Sequence, residues 1–142
     1  MWNKEQAIFV LKPDADDHEV YGYGLADVID GLLKSSGLNI VGESDRRLGS
    51  QEIRDLYPIL NKPDPIFGEE WKQKLIDHVS SGNVHSLLVE GKDANKKAKV
   101  IKNYLRKTLC DQTTEVGKII KNIAHVPDDE DFAVSKKILF KK

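Results

Sequence analysis

Five consecutive apolar residues, Ala7-Ile8-Phe9-Val10-Leu11, run without polar interruption into Lys12-Pro13-Asp14. A short, largely β-favouring run that stops at a proline reads as a buried strand over 6–12. Such a strand needs partners and covering layers, and the rest of the chain offers both in alternation. Leu25, Val28, Ile29, Leu32 and Leu33 fall at i, i+3, i+4, i+7 and i+8, the apolar stripe of a helix that Gly37 closes. Leu38, Ile40 and Val41 open a second strand that turns polar towards Arg46 and Arg47. Ser50 is placed to cap a short helix carrying Ile53, Leu56, Tyr57 and Leu60, broken near its end by Pro58.

Trp71, Leu75, Ile76 and Val79 form a further helical stripe, ended by Ser80-Ser81-Gly82. Residues 84–90 are rich in Leu and Val with little alternation, the pattern of a strand covered on both faces. Asp93 is placed to cap a long helix reaching about Lys107, with Ala94, Ala98, Ile101 and Leu105 turned inward. A last strand over 119–124 leads into His125. A final helix begins near Asp128, with acids at its start and Lys136 and Lys137 near its end, as the helix dipole favours. Residues 14–24 and 110–115 lack periodicity and read as loops. The order predicts an α+β fold: a ferredoxin-like split βαββαβ sandwich, its four-stranded antiparallel sheet covered by helices. At 142 residues, one domain over 1–142 is expected.

Hydrophobic residues make up 39% and charged residues 32%, an ordinary globular composition that argues against disorder. A net charge of -1 gives no support to nucleic-acid binding. The single Cys110 cannot close an intramolecular disulfide, the first residues turn charged before any apolar run develops, and there is no N-x-[ST] sequon. All apolar runs fall far short of the ~20 residues that span a bilayer. A cytoplasmic protein without membrane association is expected.

Familiar chemical motifs are missing. Gly117-Lys118 lacks the upstream glycine and the following Ser or Thr of a phosphate loop, and Gly22-Tyr23-Gly24 lacks the third glycine of a dinucleotide fingerprint. There is no CxxC, HExxH or Gly-x-Ser-x-Gly. The positive signals are two. The helix after Asp93 is basic: over 92–107 it carries seven cations against one acid, with Lys99, Lys102 and Arg106 on one stripe. Several fixed cations suit a di- or triphosphate, although a solvated basic face would look the same. The second signal is His125. His18, His78 and His85 sit where core or surface histidines are common. His125 lies at a strand end between Asn122 and an acid-capped helix, where an imidazole can face a phosphate as nucleophile.

In order along the chain, Lys12-Pro13-Asp14, Gly24-Leu25, Leu56-Tyr57, Pro65-Ile66-Phe67, Ser81-Gly82-Asn83-Val84, Val89-Glu90-Gly91 and Asn122-Ile123-Ala124-His125 resemble the nucleoside diphosphate kinases. The resemblance covers nearly the whole chain. It implies a ping-pong transfer in which a nucleoside triphosphate phosphorylates His125 and a diphosphate collects the group, with Mg²⁺ bridging the phosphates. It implies further that Lys12 contacts the phosphates, Asn122 the ribose and phosphate side, Tyr57 the histidine and Lys12, and Phe67 or Ile66 the base. A homo-oligomer built from dimers, often a hexamer, is implied as well.

The chain departs from that family around the same site. Lys99 stands where the family has a phosphate-binding arginine, which keeps the charge and loses the bidentate fork. Leu105 replaces a threonine, and a second arginine has no counterpart unless Arg106 or Lys107 supplies it. Val126-Pro127 replaces Gly-Ser after the histidine. Lys136 replaces the glutamate that orients the imidazole, leaving Asp128, Asp129 or Glu130 for that role. Two other readings follow: a nucleotide-binding relative with impaired catalysis and a regulatory or scaffolding task, and a single-stranded nucleic-acid binder. The second lacks paired aromatics on its central strands, where Phe9 stands alone.

Overall fold

The computed structural model of the chain describes residues 5–14, 19–20, 23–64, 68–110 and 123–140. Strand β1 (Glu5–Leu11) is the axis of the molecule. Its residues 7–11 are buried on both sides, and the alternation divides two cores. Ala7, Phe9 and Leu11 face one cluster with Leu87 and Val89, covered by Leu25, Ile29 and Leu33 of one helix and Ala94, Ala98, Ile101 and Leu105 of another. Ile8 and Val10 face a second cluster with Leu88, Ile53, Leu56, Trp71, Leu75, Ile76 and Leu139. Each fully buried aliphatic or aromatic side chain here contributes roughly 1.5–3 kcal/mol, so the run has no position for a polar residue.

After β1 come a two-stranded ribbon, β2 (Glu19–Val20) with β3 (Tyr23–Gly24), then helix α1 (Leu25–Ser35) and strand β4 (Asn39–Arg46). Helices α2 (Ser50–Leu56) and α3 (Glu70–Ser80) precede strand β5 (Val84–Gly91), helix α4 (Ala94–Leu109), strand β6 (Ala124–His125) and helix α5 (Phe132–Leu139). The four-stranded sheet has the order β4-β5-β1-β6, and its pairs are antiparallel. This is the split βαββαβ arrangement, with helices on both faces. Strands β5 and β1 are central, β4 is half-exposed at one edge, and β6 forms the other edge where described.

Gly37 closes α1 in the left-handed region at φ 82, as its position predicts. Gly91 ends β5 where a Cβ would stand 2.9 Å from Leu38 Cδ2 and 3.0 Å from the Gly37 carbonyl oxygen, so the strand end needs a glycine for the close approach.

Several local expectations are corrected. Asp93 precedes α4 at φ 54 and ψ 38 and makes no side-chain cap, because a capping side chain reaches the first helical N–H groups from extended backbone. Ser50 is the first residue of α2 rather than its cap; Glu52 Oε1 accepts the Gly49 N–H at 3.1 Å. The break expected at Pro58 is present, with α2 ending at Leu56, but Leu60 belongs to a separate 3-10 turn over Pro58–Asn61 and not to the helix. Residues 14–24 are not all loop, since β2 and β3 pair within them. Strand β1 stops at Leu11, one residue before Lys12. Residues 119–122 of the expected last strand lie outside the described residues. Among the described residues no helix is long and apolar enough to cross a membrane.

Candidate active site

His125 is carried by the sheet. In β6 it pairs with Val10, and Ala124 pairs with Leu11, so the end of β1 fixes where the imidazole stands. The residue before this pair is unusual. Ile123 has φ 72, a left-handed conformation that costs a β-branched residue on the order of 1–3 kcal/mol. Both of its backbone groups are held: its carbonyl accepts the Lys12 N–H at 2.7 Å, and its N–H donates to Asp14 Oδ2 at 3.0 Å. Lys12-Pro13-Asp14 thus grips the segment leading to His125 through one main-chain donor and one buried carboxylate.

Tyr57 approaches from the end of α2, where the break before Pro58 leaves its ring beside the sheet. The Tyr57 and His125 ring centroids are 4.3 Å apart at 35°, and Lys12 Nζ lies 5.4 Å from the Tyr57 centroid. From α4, Arg106 donates to the Ala124 carbonyl. Lys102, one turn earlier, joins Arg106, Tyr57 and His125 in lining a cleft of about 660 Å³ whose lining also includes Lys62, Asp128, Glu130 and Asp131.

Crowding cations into a partly buried site lowers their proton affinity. Lys12, 2% exposed, is lowered from 10.5 to about 7, by burial first and then by Arg106, with Asp14 opposing. Lys102 is lowered to about 8 by burial, then Arg106 and Lys99. The same causes, burial followed by Lys12, Arg106 and Lys102, push His125 well below its ordinary 6.5. The imidazole is therefore neutral near pH 7 and keeps a lone pair, the state a nucleophile needs. An arriving polyanion would find cations whose mutual repulsion it relieves.

Of the residues singled out from sequence, the structure brings His125, Lys12, Tyr57 and Arg106 together. Lys99 is drawn aside into an ion pair with Asp128 at the cleft. Phe67 and Asn122 lie outside the described residues. Leu105 is buried in the core, and Lys136 is exposed with its ammonium 5.9 Å from the Phe132 ring centroid. Among the described residues, His125 Nε2 and the Tyr57 hydroxyl are buried without a hydrogen-bond partner, so no acid after Pro127 orients the ring there. Asp128 is engaged by Lys99, and Asp129 lines a different cleft with Glu5, Glu90 and Phe132.

Lys102, the middle of the basic stripe, lines the cleft as well. Two residues escaped the sequence reading of the site. Asp14 was legible only as part of Lys-Pro-Asp. Nothing in the pattern joined His78 to it, yet its Nε2 lies 2.8 Å from Asp14 Oδ1.

No family model and no curated protein sequence matches the chain. Solved structures do match. The nucleoside diphosphate kinase of Halobacterium salinarum in complex with CDP superposes with a TM-score of 0.73 at 20% identity, over 99% of this chain and 90% of that one. The Aquifex aeolicus nucleoside diphosphate kinase gives 0.67 at 20% identity, over 96% and 94%. The apo enzyme from Encephalitozoon cuniculi gives 0.64 at 22% identity, over 94% and 87%. The chain has the nucleoside diphosphate kinase fold.

Proposed function

We propose that the protein is a divergent nucleoside diphosphate kinase, passing the γ-phosphoryl group of a nucleoside triphosphate to a diphosphate through His125. The observation that carries this reading is an imidazole on a fixed strand end, sharing one cleft with Lys102 and Arg106 and lying close to Lys12, where burial and those cations favour its neutral form. Phosphoryl transfer asks a protein chiefly for in-line positioning and charge neutralisation; the clustered cations offer the second, and the strand pairing that fixes the imidazole supports the first. In the first half-reaction an imidazole nitrogen attacks the γ-phosphorus. The N–P bond forms as the bond to the bridging oxygen breaks, and the diphosphate leaves with that electron pair. A terminal oxygen of the second diphosphate then takes the phosphoryl group and restores the imidazole.

Lys12, Lys102 and Arg106 are the groups for the phosphates, with Lys99 joining if it leaves Asp128. Tyr57 braces the imidazole. Phe67 and Asn122 are assigned the base and the ribose on resemblance alone. Mg²⁺ would travel on the nucleotide phosphates and neutralise their charge. Asp128, Glu130 and Asp131 bring carboxylate oxygens within 4.8 Å of one another at the cleft, hard donors of the kind that ion accepts directly or through water. A cytoplasmic protein acting as a dimer or larger homo-oligomer completes the reading.

Steady-state transfer from ATP to a second nucleoside diphosphate tests it. Parallel double-reciprocal lines are expected, from a ping-pong scheme. A second reading, a nucleotide-binding relative that no longer transfers phosphate, is favoured by a His125 Nε2 with no hydrogen-bond partner among the described residues and by Lys99 held on Asp128. ADP binding by calorimetry with no transfer would select it.

A further inference from the structure

We propose that His78 is a positioning residue for His125, acting through the Asp14 carboxylate and the Ile123 main chain; this rests on His125 being the phosphate acceptor. The two histidines stand 47 positions apart in sequence and are joined by a continuous chain of hydrogen bonds and backbone. His78, on α3, is 11% exposed and places Nε2 2.8 Å from Asp14 Oδ1. Asp14, 4% exposed, uses its other oxygen to accept the Ile123 N–H at 3.0 Å. Ile123 then leads directly into Ala124 and His125.

The link matters because Ile123 is strained. A β-branched residue at φ 72 relaxes unless its surroundings hold it, and here the hold is the Asp14 oxygen on one side and the Lys12 N–H on the other. A carboxylate with only one partner can rotate about its side-chain torsions. His78 removes that freedom by occupying the second oxygen, so the first stays aimed at Ile123. The turn after α3 is seated on the same residues: a Cβ on Gly82 would meet Pro13 Cβ at 3.4 Å, which brings the end of the helix against Lys12-Pro13-Asp14. Burial is the largest single influence on the Asp14 carboxyl and pushes its pKa up, but the His78 hydrogen bond and charge, with Ile123 and Lys12 adding to them, together outweigh it and hold the group below its ordinary value. It is thus charged and a strong acceptor for both partners. The role is one of aim, since His78 does not line the cleft.

The test compares His78→Phe, which keeps a ring of similar shape without its nitrogens, with His78→Gln, which restores a donor. Amide exchange at Ile123 and the ring ¹⁵N shifts of His125 are read by NMR, and neither measurement needs the protein to be active. Ile123 exchange about tenfold faster in His78→Phe, displaced His125 ring signals, and recovery of both in His78→Gln are expected. Unchanged Ile123 exchange and unchanged His125 signals in folded His78→Phe would overturn the proposal. If that variant does not fold, the wild-type ring decides: a His78 Nε2 that carries no proton towards Asp14 overturns it, and a protonated, bonded Nε2 supports it. Where the wild type forms phosphohistidine, His78→Phe should lower kcat by about tenfold with little change in KM. Wild type without phosphohistidine but with the NMR coupling intact would reject the kinase reading alone.

Discussion

The Tyr57 ring packs on the His125 imidazole, centroid to centroid at 4.3 Å, while its own hydroxyl is buried with no partner among the described residues. The aromatic face therefore matters more than the phenol. Tyr57→Phe keeps the packing and removes an unsatisfied group, so its stability should equal or exceed that of the wild type. Tyr57→Ala opens a cavity at a residue 6% exposed and should destabilise by about 3–5 kcal/mol while releasing the imidazole. Chemical denaturation of the two variants checks this; equal losses would show that the ring does not brace the site.

Lys12 makes stability depend on pH in a direction opposite to that of a salt-bridged lysine. Its pKa falls from 10.5 to about 7 on folding, chiefly through burial, so the unfolded chain holds this proton more tightly than the folded one. Below pH 7 both states carry it and the destabilisation is complete, on the order of a few kcal/mol. Between pH 7 and 10.5 the folded chain releases the proton while the unfolded chain retains it, and the destabilisation fades. Lys12→Met should therefore melt above the wild type at pH 6, with the gap closing by pH 10. A gap that widens with pH would contradict this. Polyphosphate binding to the wild type at pH 8 should also take up protons, visible as calorimetric heats that depend on buffer.

Asp128 competes with a phosphate for Lys99. The pair is partly solvent-exposed, 33% at Lys99 and 59% at Asp128, so breaking it should alter stability by less than about 1 kcal/mol. With Mg²⁺ left out, Asp128→Asn should bind ADP more tightly, by a few-fold at low salt, because the ammonium is freed beside Lys102 and Arg106. Titration calorimetry distinguishes this from a loss of affinity, which would mean that Asp128 itself serves the ligand.

The fold was legible because its determinants are local and periodic. The unbroken run 7–11 could only be a central strand, and the stripes of α1, α3 and α4 left little choice of face. Caps were not legible: Asp93 has a capping residue's identity but sits in the left-handed region, which depends on the turn leaving Gly91. Ordered motifs singled out His125, Lys12 and Tyr57, and the basic stripe singled out Arg106; the structure brings the four together because each lies at or just beyond the end of an element or on a regular stripe. His78 was not singled out, because its role depends on where α3 meets Lys12-Pro13-Asp14, a tertiary contact with no periodic signature. Lys99 shows the reverse failure. Its place on the stripe was right, and its partner, Asp128, is a residue from 29 positions away.

Incubation with γ-labelled ATP and Mg²⁺, followed by separation under alkaline and acidic conditions, addresses the central claim most directly. The account predicts a phosphoenzyme that survives alkali, is lost in acid, disappears in His125→Ala, and discharges onto added nucleoside diphosphate. A folded wild-type protein that binds nucleotide and takes up no label, or a label that persists in His125→Ala, would contradict it.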